Sequence, residues 1–140
     1  MYIVRDMEKV IRRLSREYPA ILVTGSRQIG KTTMLQNLMK GTGRTYVTLD
    51  DMNARTLAKE DPAMFFQLYR PPILIDEVQY APELFPAIKM MVDRDHVPGA
   101  FWMTGSQVFQ MMAGVQESLA GRLAILPMSS LSQNELYRKS

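Results

Sequence analysis

The chain has 140 residues, 46% of them hydrophobic and 22% charged, with no cysteine and one histidine, His96. Disulfide scaffolds, thiol catalysis, Cys-ligated zinc and His-rich metal sites are excluded, and no apolar run approaches the roughly 20 residues that span a bilayer. The formal net charge of +3 divides into a balance of +5 over residues 1–50 and −3 over residues 51–100, which fits a site holding an anion beside a metal but by itself decides nothing.

Length and composition predict one globular domain over residues 1–140. The first segment lacks a signal-peptide apolar region, so a cytoplasmic protein is expected. Residues 1–18 form an N-terminal helical segment. Val4, Met7, Val10, Ile11 and Leu14 recur at helical spacing and predict a helix over 4–17. Its other face carries Arg5, Lys9, Arg12, Arg13 and Arg16, diluted by Asp6, Glu8 and Glu17. It reads as a solvated face, with a nucleic-acid or membrane surface as the alternative. Ala20–Thr24 is a short apolar run of the kind found in strands covered on both faces. A helix follows over 31–40, stopped by Gly41. Residues 45–49 are β-rich and end at Asp50-Asp51. Residues 54–69 read as one helix. Ile73–Ile75 forms a third strand, 83–93 a helix, 100–104 a fourth strand, 107–119 a helix and 123–126 a fifth strand. Strand and helix alternate throughout, so the expected class is α/β, a mostly parallel sheet with helices on both faces. Ligands of such sheets sit beyond the carboxyl ends of the strands.

After the first strand stands Gly25-Ser26-Arg27-Gln28-Ile29-Gly30-Lys31-Thr32, a full match to G-x-x-x-x-G-K-[ST]. Its glycines let backbone N–H groups wrap a phosphate, and the following helix adds its positive end. Lys31 reaches the terminal phosphates and the Thr32 hydroxyl is a Mg²⁺ ligand. After the third strand stand Asp76, placed to engage Mg²⁺, and Glu77, placed to polarise a water attacking the γ-phosphate. That pair favours water over an organic acceptor. After the fourth strand, Ser106 is the first choice and Thr104 the second for a hydrogen bond to the γ-phosphate or the water. Ser106 as a helix cap is the alternative. Asp50 and Asp51 read as a turn and a helix cap. Arg122 precedes the fifth strand, on the wrong edge for its own site. It suits a neighbour's site or a carboxylate partner. His96 reads as exposed, and Gln79 and Tyr80 carry no firm role.

Leu74-Ile75-Asp76-Glu77-Val78-Gln79, Ala81-Pro82-Glu83-Leu84, Met103-Thr104-Gly105-Ser106 and Glu117-Ser118-Leu119-Ala120-Gly121-Arg122 follow the phosphate loop in order. Together they resemble a family of bacterial and archaeal AAA+-type ATPases whose members usually continue into a winged-helix region and a C-terminal nuclease-like domain of unknown function. The resemblance implies a three-layer P-loop NTPase sandwich with sheet order 5-1-4-3-2. It carries nucleotide binding onto Gly25 through Thr33, Mg²⁺ onto Thr32 and Asp76, the catalytic role onto Glu77, and a sensor role onto Thr104–Ser106. The family's lid and later domains are not expected in these residues. The last stretch, Ser132-Gln133-Asn134-Glu135, has a capping-box pattern.

The expected activity is Mg²⁺-dependent ATP hydrolysis, with Lys31, Glu77, Ser106 and Arg122 as candidate catalytic residues. Expected partners are ATP and a second copy or other protein supplying an arginine in trans. DNA is expected only by family association, and no membrane contact is expected. The alternative is a nucleotide-binding switch that turns over little alone. A GTPase is disfavoured because Ala58-Lys59-Glu60-Asp61 departs from the guanine-binding pattern and precedes the third strand. A small-molecule kinase is disfavoured by the Asp-Glu pair and the lack of an arginine-rich lid.

Overall fold

A computed structural model of the chain describes residues 2–25, 30–106 and 109–128. In chain order its elements are α1 (Tyr2–Glu17), β1 (Ala20–Thr24), α2 (Lys31–Met39), β2 (Thr45–Thr48), α3 (Met52–Glu60), α4 (Pro62–Leu68), β3 (Ile73–Asp76), α5 (Leu84–Asp95), β4 (Phe101–Gly105), α6 (Phe109–Leu119) and β5 (Leu123–Pro127). One 3₁₀ turn, Val78–Tyr80, follows β3. The strands pair in parallel in the order β2-β3-β4-β1-β5. Read from the other edge, this is the expected order 5-1-4-3-2.

The central strands β1, β3 and β4 are buried at every position, which is why they read as unbroken apolar runs rather than alternating ones. Successive side chains point to opposite faces. Leu22, Ile75 and Met103 pack with Ala58, Phe65, Phe85, Ile88 and Val115 of α3 to α6. Ile21, Val23, Leu74 and Trp102 pack with Ile11 of α1 and Met34, Leu35 and Leu38 of α2. The result is three layers, with each buried large side chain contributing about 1.5–3 kcal/mol. In α1, Ile11 is buried while Lys9, Arg12, Arg13 and Arg16 face solvent.

The helix expected over 54–69 is two helices. Pro62 lacks an N–H and disfavours helical dihedrals at the residue before it. Asp61 accordingly stands at φ −149°, ψ 77° between them. Its carboxylate accepts the Met64 amide (3.1 Å) and so starts α4.

At the strand starts, the Arg44 guanidinium lies 3.8 Å from the Trp102 ring centroid and donates to the Ile73 carbonyl (3.2 Å). Burial pulls the Arg44 pKa down to about 10. The Trp102 indole N–H donates to Ser15 Oγ (3.0 Å), tying α1 to β4. Among the described residues no helix is long and apolar enough to cross a membrane.

Candidate functional site

β1, β3 and β4 end together at one edge of the sheet, and strand parity decides which side chains meet there. Leu74 and Trp102 face α2. Asp76 and Thr104 therefore face α2 as well, each two residues further along its strand. α2 begins at the same edge. Gly30 takes a left-handed φ of +78° with nothing within 4 Å of the position a Cβ would fill, so backbone conformation rather than space selects glycine. Lys31 opens the helix, is 1% exposed, and its Nζ has no hydrogen-bond partner among the described residues. A buried ammonium is costly unless an anion meets it. The positive end of α2 reinforces that demand. Ser26, Arg27, Gln28 and Ile29 lie outside the described residues. Gly25 begins the loop with its N–H on the Gly105 carbonyl (3.2 Å). Thr33 is exposed on α2.

Asp76 is 6% exposed and collects three hydroxyls. Thr32 Oγ1 donates to its Oδ1 (2.8 Å), Thr104 Oγ1 donates to the same oxygen, and Tyr46 Oη donates to Oδ2 (3.1 Å). Burial first, and then the Asp76 charge and hydrogen bond, push the Tyr46 phenol up to about 12. A carboxylate beside a threonine hydroxyl is a hard-oxygen donor pair. It suits a cation that keeps several waters.

Glu77 is 2% exposed and left-handed, at φ 60°, ψ 49°. This conformation costs a non-glycine residue about 1–2 kcal/mol. It turns the chain off β3, and the Glu77 N–H donates to Thr104 Oγ1 (3.0 Å). Thr104 is thus spent on Asp76 and on the Glu77 backbone, and is wholly buried. The Gln79 amide nitrogen donates to Glu77 Oε1 (2.9 Å), and its oxygen accepts the Ser106 N–H (3.2 Å). Ser106 is half-buried at the end of β4.

The structure brings Lys31, Thr32, Asp76 and Glu77 to one edge, with Ser106 linked to Glu77 through Gln79. It does not bring Arg122 there. The Arg122 guanidinium binds Asp93 of α5 (2.6 and 3.2 Å) and holds that carboxyl below its ordinary range. Asp51 caps α3 by accepting the Ala54 amide (2.9 Å). The Asp50 N–H donates to Thr48 Oγ1 (3.1 Å) in the preceding turn. His96 is exposed, and the capping-box stretch Ser132–Glu135 lies outside the described residues. A groove lined by Phe66, Arg70, Met90, Met91 and Val97 lies at the strand starts and contains none of the site residues.

Two contributors escaped the sequence. Tyr46 reaches Asp76 only because β2 lies beside β3, and no local motif marks it. Gln79 had its signal in its place two residues after Glu77, but its second partner lies 27 residues away.

The sheet order and the buried lysine that opens the helix following β1 define the P-loop NTPase class. A solved structure with this fold is the P-loop NTPase domain of the sigma-54 transport activator from E. coli. It superposes with a TM-score of 0.57 at 12% identity, covering 91% of this chain and 96% of that one. The family model described as AAA domain matches residues 17–137, and the chain belongs to that family. It is also 34% identical over 133 residues to two uncharacterized proteins, one of Mycobacterium bovis and one of Mycobacterium tuberculosis. The match covers 94% of this chain and 30% of each relative, so the chain spans under a third of the curated relatives' length.

Proposed function

We propose that the chain binds ATP at Gly25–Thr33 and hydrolyses its γ-phosphate. The observation that carries this reading is the buried Lys31 ammonium, which has no hydrogen-bond partner among the described residues, beside the Thr32–Asp76 pair. Lys31 neutralises charge on the β- and γ-phosphates. Glu77 orients a water and takes its proton as the water oxygen attacks the γ-phosphorus. The bond to the β,γ-bridging oxygen breaks, and ADP leaves with that electron pair. Thr32 and Asp76 are the residues that would hold Mg²⁺, which when bound neutralises the phosphate oxygens. Ser106 is proposed to sense the γ-phosphate or the water. Arg122, held by Asp93, is proposed to act only on a neighbouring copy's site.

A second reading, a switch that binds ATP with little turnover alone, is favoured by that placement of Arg122, which leaves Lys31 as the described cation at the site. DNA is the proposed macromolecular partner, at the Lys9, Arg12, Arg13 and Arg16 face, in a cytoplasmic setting. Reversing the charge at Arg12, Arg13 and Arg16 should abolish salt-dependent DNA binding, and unchanged binding would remove that assignment.

Phosphate release and nucleotide affinity, measured together, test the main reading. Glu77→Gln should bind ATP but release phosphate about 100-fold more slowly or worse. Lys31→Ala should lose binding at least about tenfold. Equal release by the wild type and Glu77→Gln would refute the role of Glu77. Undiminished binding by Lys31→Ala would refute the phosphate site.

A further inference from the structure

Gln79 is a side chain at this edge to which the hydrolytic reading gives no role. Its two amide ends are used in opposite senses. The nitrogen donates to Glu77 Oε1 at 2.9 Å, and the oxygen accepts the Ser106 backbone N–H at 3.2 Å. The polarity is forced. A carboxylate only accepts and a backbone N–H only donates, so a group joining them must offer a donor on one side and an acceptor on the other. An amide does this and a carboxylate of the same shape does not. Gln79 is also anchored at its backbone, because the 3₁₀ turn Val78–Tyr80 begins directly at the left-handed Glu77. The Tyr80 N–H returns to the Glu77 carbonyl (3.2 Å). The bridge therefore spans a short path between the end of β3 and the end of β4.

We propose that Gln79 is a positioning residue that couples the Glu77 carboxylate to the backbone at Ser106, so that a shift of the Ser106 backbone re-aims the glutamate. This deepens the hydrolytic reading and rests on it for its catalytic consequence. The coupling itself is a structural claim that can be measured without turnover. If Ser106 responds to the γ-phosphate, Gln79 is the route by which an occupied site aligns the glutamate and an empty one does not.

Amide hydrogen exchange at Ser106, read by NMR on the 140-residue chain, tests the coupling. Gln79→Ala removes the acceptor, and Ser106 exchange should rise about tenfold or more. Glu77→Ala should also raise it, because Gln79 loses the anchor that orients it, and should add nothing in a Gln79→Ala background. Gln79→Glu keeps an acceptor for Ser106 but sets one carboxylate against another. Its kcat for ATP should fall about tenfold with little change in KM. Ser106 exchange unchanged in Glu77→Ala would overturn the coupling. So would wild-type kcat in Gln79→Glu, since a merely space-filling Gln79 tolerates an isosteric replacement. Where the wild type releases no phosphate but the exchange pattern holds, the hydrolytic reading fails and the coupling stands. Where the wild type turns over and the exchange pattern is absent, the reverse is true.

Discussion

Asp76 accepts hydroxyls from Thr32, Thr104 and Tyr46 on three different elements. A carboxylate held this way is fixed in place before any ligand arrives. Thr104 does most, because its single oxygen also accepts the Glu77 N–H. Thr104→Val keeps the volume but strands a buried donor at Glu77 and removes one from Asp76. It should cost about 2 kcal/mol in urea unfolding, with Thr104→Ser recovering at least half. A cost indistinguishable from zero would show that the hydroxyl is not needed. Tyr46 has a folded-state pKa of about 12, above the usual 10. Its contribution to stability is therefore complete below pH 10 and is lost as pH rises from 10 towards 12. In metal-free protein, Tyr46→Phe should flatten the alkaline fall in unfolding midpoint over that window. An unchanged slope would place the alkaline loss elsewhere.

At the strand starts α1 docks closely on the loop before β4. Gly99 has a φ of +69°, and a Cβ there would stand 2.2 Å from Ser15 Oγ and 2.8 Å from the Ser15 carbonyl oxygen. Gly99→Ala must strain its own backbone and push α1 away from the Ser15–Trp102 contact. It should destabilise by about 3 kcal/mol. Adding Ser15→Ala should return only part of that, since the backbone oxygen remains. Thermal unfolding of the single and double variants decides this, and full rescue would mean that only the hydroxyl was in the way. The same scale shows what local pattern could convey. The second strand was readable from its β-rich composition and the others from apolar runs, and Asp51 was readable as a cap. The break at Asp61 was hidden under a continuous 54–69 periodicity, because hydrophobic spacing registers a buried face rather than the loss of one N–H at Pro62.

Across the molecule, Arg122 and the site lie at opposite ends of the sheet. Any service of Arg122 to phosphoryl chemistry must be to another copy. Phosphate release per molecule should then rise with protein concentration, and Arg122→Ala should remove the rise while leaving ATP affinity unchanged. A constant specific activity would confine Arg122 to its ion pair with Asp93. That pair is exposed, so its loss alone should change stability little.

The sequence by itself determined the α/β alternation, the phosphate-loop motif and the acidic pair after the third strand. Each is a local pattern, a run of side chains whose spacing or chemistry is complete within a few residues. Only the tertiary structure decided which strands became neighbours, and so which side chains meet. Tyr46 lies 30 residues from Asp76, and Thr104 lies 27 from the Glu77 amide it accepts. Parallel strands acquire their neighbours through crossovers, and their register is set by packing of the whole sheet against both helical layers. The hydroxyls around Asp76 and the Gln79 bridge are products of that register.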